Sequence, residues 1–386
     1  MGAGRFWSTR FRWGVSIDNM WVYPGAPQPK PIGATKLLTA KVTGNVHGLF
    51  RRDTGSGVKE SVQESQGPPP TSPNFREEIK QATVRLAKEL ERTGIDFVRC
   101  WFQWNFFEPN IGERPYKFPL DDFVSILNSE GVEIVAVLEN GYSRFLPRGM
   151  DENNSEDYLT KLADVSTAVV HHYKDSIKTW QIENEPNWWF AHLASSWREG
   201  RIWNKPGMKD AVLGTLSEIV REENPSSTVI INLEADRERT DSKSFVKYCD
   251  VVGLDFYPNY ARATPIDVSK FKFSSKVKSE TGLPVFIAET GYPSGPPREG
   301  YSEVNQAAYV ARACEEAYSS DFLNGIALWR YSDSYWTSFP EKENHFGLRT
   351  KEGKPKLGWI EYGNQIRKSR SGQSQESRMP GQISSP

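Results

Sequence analysis

Short apolar runs alternate along the chain with longer stretches of helical period, and this alternation is its main structural signal. Eight runs rich in β-branched and aromatic residues read as strands: Phe11–Ile17 (FRWGVSI), Ile95–Phe102 (IDFVRCWF), Val132–Leu138 (VEIVAVL), Ser176–Glu183 (SIKTWQIE), Thr228–Leu233 (TVIINL), Val251–Tyr257 (VVGLDFY), Pro284–Glu289 (PVFIAE) and Gly325–Arg330 (GIALWR). Amphipathic segments lie between them. In the first, Ser72-Pro73 make a good N-cap and first helical position, Ile79, Ala82, Leu86 and Leu90 recur on one face, and Gly94 supplies the stop. Another starts near Asn154-Ser155, carries Glu156 and Asp157 in its first turn and presents Tyr158, Leu162, Val165 and Val169 for burial. Strands that alternate with helices make parallel βαβ units, and eight such units favour a closed (β/α)8 barrel over a doubly wound sheet.

Two stretches break the pattern. Trp21–Thr71, with its YPGAPQPKP and QGPPPTSP segments, is too long for an ordinary βα loop. Because it follows the first strand, it reads as an insertion at the catalytic rim that walls one side of a cleft, with a disordered surface loop as the alternative. The polar tail Lys368–Pro386 lacks periodicity and is expected to be disordered, which leaves one catalytic barrel domain over 1–367.

Composition narrows the functions open to such a barrel. With 48 basic and 49 acidic residues the net charge is −1, so no global field draws in nucleic acid or an anionic membrane. No run approaches the roughly 20 apolar residues of a membrane span. The first residues carry no apolar stretch of signal-peptide type, so a cytoplasmic location is the default expectation, and secretion is expected if a leader has been removed. Cys100, Cys249 and Cys314 are scattered and read as buried thiols. The 13 Trp residues are enough to furnish both a core and a sugar cleft, where aromatic planes stack on the C–H faces of the rings.

Cleaving a glycosidic bond with retention requires two carboxyl groups about 5–5.5 Å apart on facing strand ends. Glu185 follows the fourth strand in TWQIENEPNWW, and Glu289 ends the seventh in VFIAETGYPSG. Further polar and aromatic residues fall at the same rim: Trp104 and Asn105 after strand two, Glu139, Asn140 and Tyr142 after strand three, and Asn232 and Glu234 closing strand five. Trp188, Trp189 and Trp336 are candidates for sugar stacking, with packing under a loop as the alternative. His345 reads as a loop cap, and His171-His172 as helix residues outside the barrel. No HExxH, phosphate-loop or dinucleotide motif is evident, so no cofactor or metal is expected.

These segments resemble clan A glycoside hydrolases, whose pattern is Asn-Glu at the end of strand four and Glu at the end of strand seven. The resemblance extends from about Phe11 to Trp359. It implies that Arg99 and Tyr257 surround the nucleophile, that Trp329 floors the subsite of the cleaved sugar, and that Asn184 contacts the sugar 2-hydroxyl. Family 5 cellulases and mannanases often place His at the end of strand three and two residues before the strand-six Tyr. This chain has Leu138-Glu139-Asn140 and Asp255-Phe256-Tyr257 there. The ETGYPS segment is similar to family 17 β-1,3-glucanases, and WxxxNEPN resembles β-xylosidase-like branches, so no single family is indicated.

The expectation is a retaining hydrolase of β-linked oligo- or polysaccharides of gluco or manno type, with Glu185 as acid/base and Glu289 as nucleophile. Glu185 must then be protonated, its pKa raised above about 4.3 by partial burial and by the charge of Glu289. A transglycosylase and a catalytically silent carbohydrate-binding barrel are the alternatives. Endo or exo attack and oligomeric state stay open.

Overall fold

The computed structural model describes residues 10–17, 75–139, 145–151, 153–187, 205–236, 241–334 and 340–376. Eight parallel strands close into a barrel in chain order: β1 (Arg12–Ile17), β2 (Phe97–Trp101), β3 (Glu133–Leu138), β4 (Thr179–Ile182), β5 (Thr228–Glu234), β6 (Val251–Phe256), β7 (Val285–Thr290) and β8 (Gly325–Leu328). Each overlaps one of the eight apolar runs. The last pairs with the first, Arg12 opposite Gly325 and Val15 opposite Leu328, which makes the fold a (β/α)8 barrel.

Helices α1 (Phe75–Thr93), α2 (Asp121–Ser129), α3 (Ser155–Tyr173), α4 (Met208–Glu223), α5 (Phe273–Thr281), α6 (Glu303–Ser319) and α7 (Leu357–Glu376) form the outer layer. Between β5 and β6 the crossover uses a 3₁₀ segment, Ser242–Tyr248, in place of an α-helix. Local chemistry sets the ends. Gly94, at φ +90, donates its N–H to Leu90 and Glu91 and stops α1, while the Asn154 side chain caps α3 by accepting from the Asp157 N–H at 3.2 Å. The helix start expected at Ser72-Pro73 and the insertion Trp21–Thr71 lie outside the described residues.

Alternation along the strands divides the apolar residues in two. One large cluster fills the space between strands and helices; a second, of Phe97, Val135, Ile230, Val251, Phe286, Ala288 and Ala327, fills the barrel interior. Gly14 makes room for the Phe97 ring, since an added Cβ would stand 2.2 Å from it. Toward the C-terminal ends of the strands the inward positions turn polar, and Arg99, Gln181, Asn232 and Asp255, each fully buried, form the next layer.

One irregularity decides where Glu289 points. Leu254 pairs with Ile287 but Asp255 pairs with Glu289, so Ala288 is an extra residue in β7 with no counterpart in β6. Strict alternation would place 285, 287 and 289 on the helix-facing side, where Val285 and Ile287 belong. The bulge breaks that phase: Ala288 packs in the interior, and Glu289 turns into the barrel mouth. Thr290 resumes the outward face and bonds the Phe256 carbonyl at 2.7 Å and the Tyr309 hydroxyl of α6.

The expectation of a disordered tail from Lys368 needs correction, because α7 continues through Glu376. The turn at 368–370 is held by contacts that an apolar period does not reveal. Arg370 donates to the Gly94 carbonyl at 2.8 Å and reaches Asp96, the Ser369 carbonyl accepts from Tyr318, and Lys368 pairs with Glu315. Residues 377–386 lie outside the described residues. Asp96 also takes Arg10 and the Trp13 N–H, so a polar network closes the N-terminal face of the barrel, the face where such barrels place stability rather than chemistry.

Candidate active site

At the C-terminal mouth Arg99 is the organising group. It rises from β2 into the interior, is fully buried, and directs three donors to β4, to β7 and to the chain just past β4. Its Nε donates to Gln181 Oε1 of β4 at 2.6 Å, one terminal nitrogen to Glu289 Oε1 at 2.5 Å, and the other to Asn184 Oδ1 at 2.7 Å. Tyr257, just past β6, donates its hydroxyl to the second Glu289 oxygen at 2.6 Å. Glu289 therefore has one donor on each oxygen, one of them cationic.

Asn232 of β5 connects this centre to Glu185. Its Oδ1 accepts from Gln181 at 2.7 Å and from the Glu185 peptide N–H at 3.1 Å; its Nδ2 donates to Asn184 Oδ1 at 2.9 Å and to Asp255 Oδ2 at 2.6 Å. The chain after β4 is sharply turned, with Glu183 at φ 58 and Glu185 at φ 45, left-handed conformations that side chains with a Cβ rarely adopt. Such strain persists only where neighbours over-determine it, and here they do. The Gln181 amide donates to the Glu183 carbonyl at 2.8 Å, and Asn187 exchanges two hydrogen bonds with the backbone of Glu234.

Charge at the mouth is mostly negative. Burial of its carboxyl, then the charge of Glu289 and then that of Glu234, hold Glu185 well above the usual carboxylate range, against a smaller opposing pull from Arg99. Asp255 is likewise pushed up, by burial first and then by Glu289 and Glu185. Burial and Glu289 also raise the Tyr257 phenol, which keeps it a donor. A carboxyl held by two donors beside one whose proton is retained above the usual range can supply a nucleophile and a proton donor together.

Trp329 follows β8 and is half-buried, with Trp101 edge-on at 5.3 Å and the Arg330 guanidinium 5.5 Å from its ring. Trp104, expected to touch substrate, belongs instead to the core. It sits on the short helix Trp104–Phe107, is 1% exposed, donates its indole N–H to Glu108 at 2.7 Å and packs on Tyr158. Asn140, Tyr142, Trp188, Trp189 and Trp336 lie outside the described residues. His345 joins two loops, its carbonyl accepting from the Ser294 N–H at 2.8 Å, and His171 and His172 pair on the outside with Glu223 and Asp121. The three cysteines are buried free thiols.

Gln181 and Asp255 were not singled out as site residues. A signal was present in the chain, because each is a polar residue within an apolar strand: Gln181 in TWQI, and Asp255 two positions before Tyr257 and so on the same face.

No family model matches the chain. It is 25% identical over 200 residues to endo-1,4-beta-xylanase B of Thermotoga neapolitana, a match that covers 48% of this chain and 54% of that protein. The chain thus spans about half the length of the curated relative it matches. In structure it is similar to a family 39 glycoside hydrolase from Bacteroides cellulosilyticus, at 18% identity and a TM-score of 0.56 over 75% of this chain and 61% of that one. It is also similar to GH5_18 from Streptomyces cattleya in complex with GlcNAc, at 15% identity and a TM-score of 0.62 over 78% and 76% of the two chains. A variant of that protein, in complex with Manβ1-4GlcNAc, aligns at 15% identity over 78% and 77% with a TM-score of 0.61. The solved structures share the (β/α)8 barrel of this chain, and the likeness to the xylanase covers about half of it.

Proposed function

We propose that the protein is a retaining glycoside hydrolase acting on β-linked glycans of gluco or manno type, with Glu185 as acid/base and Glu289 as nucleophile. The observation that carries this reading is the unequal treatment of the two glutamates: Arg99 and Tyr257 donate to both oxygens of Glu289, whereas Glu185 is held above the carboxylate range. In the first step a Glu289 oxygen attacks the anomeric carbon, the glycosidic C–O bond breaks, and the leaving oxygen takes the Glu185 proton. In the second, Glu185 accepts a proton from water as the water oxygen attacks the same carbon and the ester bond to Glu289 breaks.

The change of role follows from electrostatics. Once Glu289 is an ester its charge no longer raises the pKa of Glu185, which then favours the ionised form needed for a base. In this reading Asn184, held by Arg99 and Asn232, meets a hydroxyl of the sugar at the reacting subsite, and Trp329 lies under its ring. The β-linked substrate class rests on the names of the xylanase relative and of the neighbour with Manβ1-4GlcNAc.

The test is kinetic and stereochemical. Glu185→Ala and Glu289→Ala are assayed on aryl β-glycosides and β-glycans, with and without azide, and the products are read by NMR. Azide is expected to rescue both variants, giving a β-glycosyl azide from Glu185→Ala and the α-anomer from Glu289→Ala. Undiminished hydrolysis by Glu289→Ala would overturn the assignment.

A further inference from the structure

A third carboxyl lies beneath the two glutamates, and the mechanism above does not use it. Asp255 is on β6, in register with Glu234 of β5 and Glu289 of β7, and its side chain is fully buried in the barrel's polar layer. One oxygen accepts from Asn232 Nδ2 at 2.6 Å; the other, equally sealed from solvent, has no hydrogen-bond partner among the described residues. Arg99 does not hydrogen-bond it, because its donors go to Gln181, Glu289 and Asn184. A carboxylate so placed would be a buried charge hydrogen-bonded by a single neutral amide, with Arg99 acting on it only through space, an arrangement that costs more than the neutral acid. The groups around it reinforce this: Glu289 from β7, Glu185 after β4 and Glu234 of β5 are acids, Tyr257 on its own strand is a neutral phenol, and Arg99 of β2 is the one cation among those named.

We propose that Asp255 is a positioning residue that works as a neutral carboxylic acid, anchoring Asn232 and, through it, the Asn184 amide and the Glu185 peptide N–H. Asn232 has its four bonds divided among Gln181, Glu185, Asn184 and Asp255. Removing the Asp255 acceptor frees the Asn232 amide to turn, and Asn184 and Glu185 lose their reference. A neutral Asp255 also leaves Arg99 directed at Glu289 alone among the acids of the mouth. The direction in which burial and the neighbouring acids move the Asp255 carboxyl agrees.

The charge state can be read without substrate, while the positioning role rests on the glycosidase reading, so two measurements separate the claims. Infrared difference spectra of wild type against Asp255→Asn at neutral pH are expected to show loss of one C=O stretch of a protonated carboxylic acid, with a separate band, from Glu185, lost in Glu185→Gln. No such loss in Asp255→Asn would overturn the proposal even if the enzyme proves to be a glycosidase. In kinetics, Asp255→Asn keeps the acceptor and the zero charge, so the alkaline limb of kcat/KM is expected to stay where wild type has it. Asp255→Leu removes the acceptor and is expected to lower kcat about 100-fold with little change in KM, the scale of a small misplacement of reacting groups. An alkaline limb displaced to lower pH in Asp255→Asn would mean that a negative charge had been removed, and wild-type kcat in a folded Asp255→Leu would remove the positioning role; either result sinks the proposal. If Asp255→Leu fails to fold, the infrared band and the Asp255→Asn limb still decide it. If neither kinetic arm shows hydrolysis, the function has failed while the spectra still report the charge.

Discussion

At Glu289 the two oxygens are held by different chemistries, a guanidinium on one and a phenol on the other, and the two should fail differently. Tyr257→Phe removes only a hydroxyl. Hydrogen bonds to charged groups contribute about 1.5–3 kcal/mol, so kcat on aryl glycosides should fall roughly ten- to hundredfold, with the protein folding normally. The proton on Glu185 has a different dependence. As the general acid of the proposed mechanism it must be protonated, so kcat/KM should fall as pH rises through its elevated pKa, and the active range should extend above that of an ordinary carboxylic acid. Because Glu234 is among the charges that raise it, Glu234→Gln should shift the alkaline limb to lower pH, which a pH–rate profile would show. A limb that stayed put would mean that Glu234 does not reach Glu185 electrostatically.

Among the elements, β7 is the one whose geometry makes the site, and its bulge is supported from β6. Gly253 lies beneath it: a Cβ there would stand 2.7 Å from the Ala288 Cβ and 3.1 Å from that of Asn232. Gly253→Ala should therefore press at once on the residue that forms the bulge and on the residue that anchors Asn184. Overpacking of this kind costs about 1–3 kcal/mol, and loss of kcat should exceed what the change in Tm alone suggests. The eight strands were legible because each is an apolar run bounded by turn residues, and the helix ends because Gly94 and Asn154 carry their own capping chemistry. The bulge was not, since one extra residue in VFIAET leaves composition and length unremarked; Glu289 was identified by its place after an apolar run, while its direction depended on a register that only pairing defines. Trp104 was misplaced for a related reason, as position after β2 did not reveal that Glu108, one turn on, would take its indole N–H. The end of α7 escaped because its partners, Gly94, Asp96 and Glu315, are polar and distant in sequence.

The molecule as a whole divides its labour between two faces, with chemistry at the C-terminal mouth and an ionic closure at the opposite end. Arg370→Ala should lower stability by on the order of 1 kcal/mol, because Arg370 is half in solvent, and leave KM and kcat as they are, a contrast that thermal melts and kinetics together would reveal. The mouth carries the reverse cost. The folded protein holds the Glu185 proton above the pH at which the unfolded chain releases it, so this contribution to stability is complete below about 4.3 and declines as pH rises toward the folded pKa. Glu185→Gln has no proton to lose, and its Tm should overtake that of wild type progressively from acid to neutral pH; a constant difference across that range would contradict the assignment. The seam of the barrel has a further consequence in time. β1 is completed by β8, and the Tyr362 hydroxyl of α7 bonds the Gly14 carbonyl across that join at 2.7 Å. A chain emerging from the ribosome in order offers one edge of its first strand unpaired until the eighth has been made, more than 300 residues later. For most of its synthesis this protein is an open sheet with an adhesive border, and that border is where a chaperone, or a second nascent chain, would find it.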